Sequence, residues 1–223
     1  MRSSWPGKGG TTRPEIEVFD DVASLARRFT AVVSGARSLA LSRPTPTDVF
    51  ERVRLPEGAE VFQVDERNAP ASSDDRNATL IDRYLAPDAF HPMSVDADLA
   101  AGAVTYGELL VAMLGSPPVF DVVHLGLGPD GHTASLIPGD PVLDVDDRWV
   151  AATRPTAGFE RLTLTYPAID ASRLVVFVVA GAAKAEVVAR VVSGDRSQPA
   201  ARIENPNVLI LLDTPAASRL SGA

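Results

Sequence analysis

Cysteine is absent from the 223-residue sequence, and histidine occurs only three times, as His91, His124 and His132. Without cysteine the chain has no disulfide, no thiolate metal site and no cysteine nucleophile. Asp65, Glu66 and Asp130 are too widely spaced along the chain to form a ligand pattern, so we expect no metal.

Long apolar runs and excess positive charge are also missing. No stretch reaches the roughly 18 apolar residues of a membrane-spanning helix. The 21 basic and 29 acidic residues give a formal charge of −8, and a negative field repels nucleic-acid phosphates. We therefore expect a cytoplasmic protein, a monomer or weak homodimer, that binds neither membrane nor nucleic acid. Residues 1–14 lack an apolar signal core, which predicts a flexible leader.

The remaining sequence alternates between strand-like and helical patterns. Its hydrophobic content of 45% is enough for a full core. The patterns predict one α/β domain over residues 15–223, with an open, mostly parallel sheet and helices on both faces. The predicted strands are 16–19, 38–41, 60–64, 120–125, 149–152, 162–164, 174–180 and 208–212. The predicted helices are 22–33, 47–53, 78–85, 99–114, 182–192 and a short one after Asp213.

A glycine-rich segment, Gly126–Thr133, follows the apolar run 120–125. Ligands of open α/β sheets bind at the carboxyl ends of strands, so we expect a site here. Gly126, Gly128 and Gly131 also match the glycine pattern of dinucleotide-binding proteins. That pattern needs a long helix and an acidic residue about 20 positions later. The helical stretch predicted after His132 meets Pro138-Gly139 within two turns, which disfavours a dinucleotide-dependent oxidoreductase.

His132 is the candidate general base of this segment, since an imidazole can take a proton from water near neutral pH. Asp130 lies two residues earlier and could hold the ring by a hydrogen bond. The alternative is that His132 only caps the short helix predicted to follow it.

Five segments, in order, resemble the 6-phosphogluconolactonases, which share a fold with the glucosamine-6-phosphate isomerases/deaminases. The resemblance covers residues 16–220, and the first string to carry it is Leu125–Gly139. The other four are Val64–Arg67 with downstream Asn77, Arg161–Ile169, Gly181–Ala185, and Leu211–Asp213 with Ala216-Ala217.

This resemblance implies hydrolysis of 6-phosphoglucono-δ-lactone in the pentose phosphate pathway, without a cofactor. It implies that His132 deprotonates the attacking water and that Asp130 supports it. Arg67 and amides of the glycine loop would stabilise the oxyanion, while Lys184 and Arg161 would hold the phosphate. The remaining substrate-binding candidates are Asp65, Asn77, Gly128, Gly131, Ser42, Arg43 and Thr45.

The loop Ser42–Pro46 departs from the family pattern, which has Ser/Thr-Gly-Gly-x-Thr-Pro. Here the two glycines are missing, and Pro44 has no N–H to give a phosphate. Arg43 either compensates with its side chain or obstructs the site. The departure leaves open a non-catalytic or altered-specificity sugar-phosphate-binding protein. An amino-sugar-phosphate isomerase or deaminase is disfavoured, because residues 134–139 contain no Glu.

Overall fold

The computed structural model describes residues 14–96 and 98–220. Of the predicted leader, only Pro14 falls within these ranges. The strands are β1 (Glu15–Phe19), β2 (Ser38–Leu41), β3 (Glu60–Gln63), β4 (Asp65–Arg67), β5 (Ala89–His91), β6 (Val122–Leu125), β7 (Val150–Ala152), β8 (Arg161–Leu164), β9 (Val175–Val179) and β10 (Val208–Asp213). The helices are α1 (Val22–Val33), α2 (Thr47–Phe50), α3 (Asn77–Leu85), α4 (Leu99–Leu114), α5 (Tyr166–Asp170), α6 (Ala185–Val192) and α7 (Thr214–Ala217).

Seven strands form one sheet in the order β1-β10-β9-β6-β2-β3-β5. Every neighbouring pair is parallel, which confirms the predicted α/β sheet. From β2 the chain continues outward to β3 and β5, whereas from β6 it continues the other way to β9. The strand order therefore reverses between β2 and β6. In open α/β sheets, the crevice at the carboxyl ends of two such strands is where ligands bind.

The sheet is buried on both faces because its strands are apolar at successive positions. In β9, Val175, Phe177 and Val179 face one core, and Val176 and Val178 face the other. Helices α1, α2 and α3 cover the second core. Helices α4, α5, α6 and α7 cover the first. The predicted helices on both faces are thus present, and this alternation is typical of doubly covered parallel sheets.

A second, antiparallel sheet of strand order β4-β8-β7 was not predicted. Val64 connects it to the main sheet, since its N–H donates to the Leu41 carbonyl and its own carbonyl accepts from the Leu164 N–H. These strands are three or four residues long. Such short segments carry little periodicity, so their pairing depends on tertiary contacts.

The bounds of α1 and α4 are as predicted. Asp is a typical N-cap residue, and the Asp21 carboxylate caps α1 by accepting the Ser24 N–H at 2.6 Å. The predicted helix 182–192 divides into a 3₁₀ turn, Ala182–Lys184, and α6. The predicted strands 120–125 and 174–180 and helix 47–53 are each shorter than expected.

The helical stretch predicted after His132 is wrong. Residues 133–139 form turns, with an isolated bridge between Thr133 and Leu136. Ala134 has φ +52°, which an α-helix does not accommodate. Ser135 is fixed instead by side chains of the small sheet. His132 therefore does not cap a helix.

Within residues 14–96 and 98–220, no helix is long and apolar enough to cross a bilayer. Over the same ranges, no three His, Asp or Glu side chains converge as a metal-binding group.

Candidate active site

The candidate site lies where β2 and β6 end side by side. The Ser42 N–H donates to the His124 carbonyl at 3.2 Å, which joins the loop after β2 to β6. The Ser42 hydroxyl lies 3.9 Å from the position that a Cβ on Gly126 would occupy. Ser42–Pro46 and Gly126–Thr133 are therefore adjacent, although 79 residues separate them in the sequence.

Hydrogen bonds within the glycine segment hold it in a compact turn. The Gly128 N–H donates to the His132 carbonyl at 2.8 Å, and the Gly131 N–H donates to the Gly128 carbonyl at 3.0 Å. The Thr133 hydroxyl donates to the Gly126 carbonyl at 2.9 Å. Because the N–H groups of Gly128 and Gly131 bond within the turn, they stabilise its conformation. Their direct contact with substrate stays a prediction.

The turn places the Asp130 carboxylate against the His132 ring. His132 Nδ1 lies 2.5 Å from Asp130 Oδ1, and the same oxygen accepts the His132 N–H at 3.2 Å. The two side chains remain 32% and 50% exposed, respectively. An Nδ1 bonded to a carboxylate carries the proton, which leaves Nε2 as the proton acceptor.

Gly128 is required for this ring position. A Cβ at Gly128 would lie 2.1 Å from His132 Nδ1 and 2.7 Å from Asp130 Oδ1. Any other residue would displace the imidazole, the carboxylate or the turn itself.

Burial and nearby charges shift the pKa values of Asp130 and of its neighbour Lys184. Partial burial opposes ionisation of Asp130, but the interaction with His132 lowers its pKa below the ordinary value. Burial lowers the pKa of Lys184, and the Asp130 charge opposes that shift. Lys184 Nζ donates to the Leu127 carbonyl at 2.6 Å. Lys184 is therefore hydrogen-bonded to the same turn, close to the point where β6 ends.

Arg67 and Arg161 lie directly opposite each other on β4 and β8. Like charges at paired positions of an antiparallel ladder destabilise it. Arg161 is only 7% exposed, and burial together with the Arg67 charge lowers its pKa. Among the described residues, its guanidinium has no salt-bridge partner and its Nε has no hydrogen-bond partner. A bound anion would compensate this charge.

Asp65 and Asn77 support the same edge of the small sheet. The Ser135 hydroxyl donates to Asp65 Oδ2 at 2.7 Å, so the segment after His132 is bonded to β4. Asn77 Nδ2 donates to the Asp65 carbonyl at 2.8 Å. Asn77 Oδ1 is buried without a partner in the described part of the chain.

Glu66 was not predicted to have a role, yet it organises this region. Its carboxylate accepts four hydrogen bonds, from Gln63 Nε2 and from the N–H groups of Arg67, Asn77 and Ala78. Burial raises its pKa despite these donors. Strand β4 reads Asp-Glu-Arg, so its composition gives no signal that Glu66 is buried.

Gln198 also contacts the turn and was not predicted. A Cβ at Gly131 would lie 2.2 Å from Gln198 Oε1, and the Gly131 φ is +79°. The Ala200 N–H donates to the Gly131 carbonyl at 3.0 Å. The segment around Gln198 therefore packs against the turn between Asp130 and His132, a contact that sequence spacing does not reveal.

The loop after β2 contributes residues of different accessibility. Ser42 is buried, Arg43 is half-buried and Thr45 is exposed. Arg43 Nη1 donates to the Asp74 carbonyl at 2.9 Å. Of the predicted site residues, His132 and Asp130 thus lie in the glycine turn, and Lys184 contacts this turn from the 3₁₀ turn Ala182–Lys184. Arg67, Arg161, Asp65 and Asn77 belong to the small sheet and α3.

Residues 17–211 match the family model described as glucosamine-6-phosphate isomerases/6-phosphogluconolactonase. A 6-phosphogluconolactonase of Synechocystis is 37% identical over 206 residues, which cover 83% of this chain and 85% of that protein. The Mycobacterium tuberculosis 6-phosphogluconolactonase is 35% identical over 222 residues, covering 89% of this chain and 87% of that protein. The solved structure of Trypanosoma brucei 6-phosphogluconolactonase superposes with a TM-score of 0.75 at 26% identity, covering 95% and 100% of the two chains.

Proposed function

The chain belongs to the family of glucosamine-6-phosphate isomerases and 6-phosphogluconolactonases, and we propose that it hydrolyses 6-phosphoglucono-δ-lactone to 6-phosphogluconate. This is a step of the oxidative pentose phosphate pathway. The observation that carries the proposal is the His132–Asp130 pair in the turn after β6. His132 Nδ1 lies 2.5 Å from Asp130 Oδ1.

His132 is the general base in this mechanism. Its Nδ1 is held by Asp130, so its Nε2 takes a proton from the water that attacks the lactone carbonyl. The Asp130 carboxylate then stabilises the imidazolium. When the ring C–O bond of the tetrahedral intermediate breaks, the imidazolium returns the proton to the departing hydroxyl oxygen. The reaction consumes one water and needs no cofactor.

The cationic side chains of the site stabilise two negatively charged groups, the oxyanion of the intermediate and the phosphate of the substrate. Arg67 stabilises the oxyanion that forms at the carbonyl, a contribution of about 3 kcal/mol for one well-placed donor. Arg161 and Lys184 hold the phosphate, Arg161 through its planar fork and Lys184 as a point charge. Ser42, Thr45, Asp65 and Asn77 line the substrate. The buried, unpaired guanidinium of Arg161 supports an anionic substrate.

The test is acid release from freshly prepared 6-phosphoglucono-δ-lactone, followed by pH-stat. We expect the wild-type protein to accelerate release well above the spontaneous rate. Glucosamine 6-phosphate, tested in parallel for ammonia release, should not react. A lactone rate no faster than the spontaneous one would overturn the proposal, and ammonia release would assign the chain to the other branch of its family.

A further inference from the structure

Arg43 has no role in the mechanism above, but its surroundings are unusual. It lies two residues after the end of β2, and the residue is half-buried. Its only hydrogen bond within the described residues runs from Nη1 to the Asp74 carbonyl. A guanidinium has five N–H donors, so most of its donors are not used by the protein.

The Asp74-Asp75 turn brings Arg43 close to Arg67. Arg43 Nη1 is bonded to the Asp74 carbonyl, and Arg67 Nη1 lies 3.5 Å from Asp75 Oδ1. The two guanidinium groups therefore contact consecutive residues. Because Arg67 is paired with Arg161 across the ladder, the three arginines form a continuous row from the loop after β2 to β8.

Nearby carboxylates neutralise this row only in part. Asp74 Oδ1 is bonded to Arg83, and Asp65 Oδ2 accepts the Ser135 hydroxyl. Neither Arg43 nor Arg161 has a carboxylate within salt-bridge distance in the described part of the chain, whereas Arg67 has Asp75. Burial and the Arg67 charge lower the Arg43 pKa, and the charges of Asp75, Asp65 and Asp74 only partly oppose that shift. A ligand with more than one negative oxygen would stabilise such a row.

We propose that Arg43 is a specificity-determining residue that binds the phosphate of the substrate, so that phosphorylated lactones are preferred over unphosphorylated ones. The inference rests on the proposed function for the identity of the substrate. Arg43 thereby supplies with its side chain a contact that the backbone around Pro44 does not offer. The phosphate is held from the β2 side by Arg43 and from the small sheet by Arg161.

The experiment compares Arg43→Ala with Arg37→Ala. Arg37 is exposed and lies just before β2, so its loss changes the net charge equally at the opposite end of the same strand. Binding of 6-phosphogluconate and of gluconate is measured by calorimetry. Hydrolysis of 6-phosphoglucono-δ-lactone and of glucono-δ-lactone is measured by pH-stat. Arg43→Lys tests whether positive charge alone is sufficient.

We expect Arg43→Ala to weaken 6-phosphogluconate binding and to lower kcat/KM for the phosphorylated lactone by about 10- to 100-fold, the effect of losing a charge-assisted hydrogen bond. Its kcat/KM for glucono-δ-lactone should stay within about two-fold. Arg43→Lys should recover part of the loss, and Arg37→Ala should match wild type.

Unchanged or tighter 6-phosphogluconate binding by Arg43→Ala would overturn the inference, the tighter case meaning that Arg43 obstructs the site. Equal losses with both lactones would also overturn it, since they indicate a general structural effect. A wild-type protein that binds 6-phosphogluconate without hydrolysing the lactone would refute the proposed function, while the binding comparison would still decide the role of Arg43. Absence of 6-phosphogluconate binding by wild type would refute both.

Discussion

His124 and His132 lie eight residues apart on one strand and its following turn, but their environments are opposite. His124 is inside β6, fully buried, with its ring centroid 5.2 Å from that of Phe29 and 4.9 Å from that of Phe50. Neither of its ring nitrogens has a partner among the described residues. His132 is partly exposed and bonded to a carboxylate. The contrast lies in the environment of the two rings, since the residue type is the same.

The pKa of His124 expresses this difference, because burial lowers it from 6.5 to about 3. The ring therefore stays neutral in the folded protein at pH values where an unfolded chain would protonate it. Of these two histidines, His132 is therefore the one that we propose as the general base.

The largest expected effect is the loss of the base. His132→Ala should lower kcat for the phosphorylated lactone by about 10³-fold, since general-base catalysis typically contributes 10²–10⁴. Affinity for 6-phosphogluconate, measured by calorimetry, should change little. A variant with wild-type kcat would mean that another group activates the water.

Gly128→Ala should be nearly as severe, about 10²-fold in kcat, because its methyl group takes the space of the His132 ring and small displacements of a reacting group cost that much. Gly107→Ala is the matched control, since nothing lies within 4 Å of a Cβ there. If both alanine variants had equal activity, the ring position described here would be incorrect.

Asp130→Asn should cost less, about 10-fold in kcat, because the amide keeps a contact with the ring but no longer stabilises an imidazolium. Calorimetry with 6-phosphogluconate is the companion readout, because a carboxylate that acts only on the His132 ring should leave ligand affinity unchanged. Wild-type kcat in Asp130→Asn would show that Asp130 does not act on His132.

Unlike the three variants above, His124→Leu should leave kcat unchanged and alter the free energy of unfolding. Removing two buried, unpaired nitrogens should raise the free energy of unfolding by about 1–3 kcal/mol at neutral pH. Because the folded pKa lies below the unfolded one, wild type should lose stability as the pH falls from 6.5 towards 3, by up to about 1.4 kcal/mol per unit. Denaturant unfolding at several pH values should show a shallower loss in the variant. If the free energy of unfolding fell equally steeply with pH in the variant and in wild type, the acid sensitivity would come from carboxylates instead.

The features of the fold that were predicted correctly depend on local chemistry. The apolar runs of β6, β9 and β10 and the Asp21 cap of α1 are readable because each follows from neighbours in sequence. The glycine turn with Asp130 and His132 is local as well. Strands β7 and β8 were also predicted, but their sheet with β4 forms only when distant segments meet. The incorrect helix after His132 ignored contacts that Ser135 makes with this sheet.

The same limit applies to the site. The family resemblance implies separate roles for Arg67 and Arg161. Only the register of the β4–β8 pairing shows that the two residues lie opposite each other. Glu66 and Gln198 act through buried contacts with segments that are remote in sequence, so neither spacing nor composition could assign them. Arg43 was ambiguous for that reason, since its role depends on the position of Asp74 and Asp75.

The pairing of Arg67 with Arg161 should also couple the stability of the small sheet to its ligand. Two like charges at paired positions destabilise a ladder, and an anion that binds only the folded form stabilises it by mass action. We therefore expect slower proteolysis of residues 148–165 in the presence of 6-phosphogluconate.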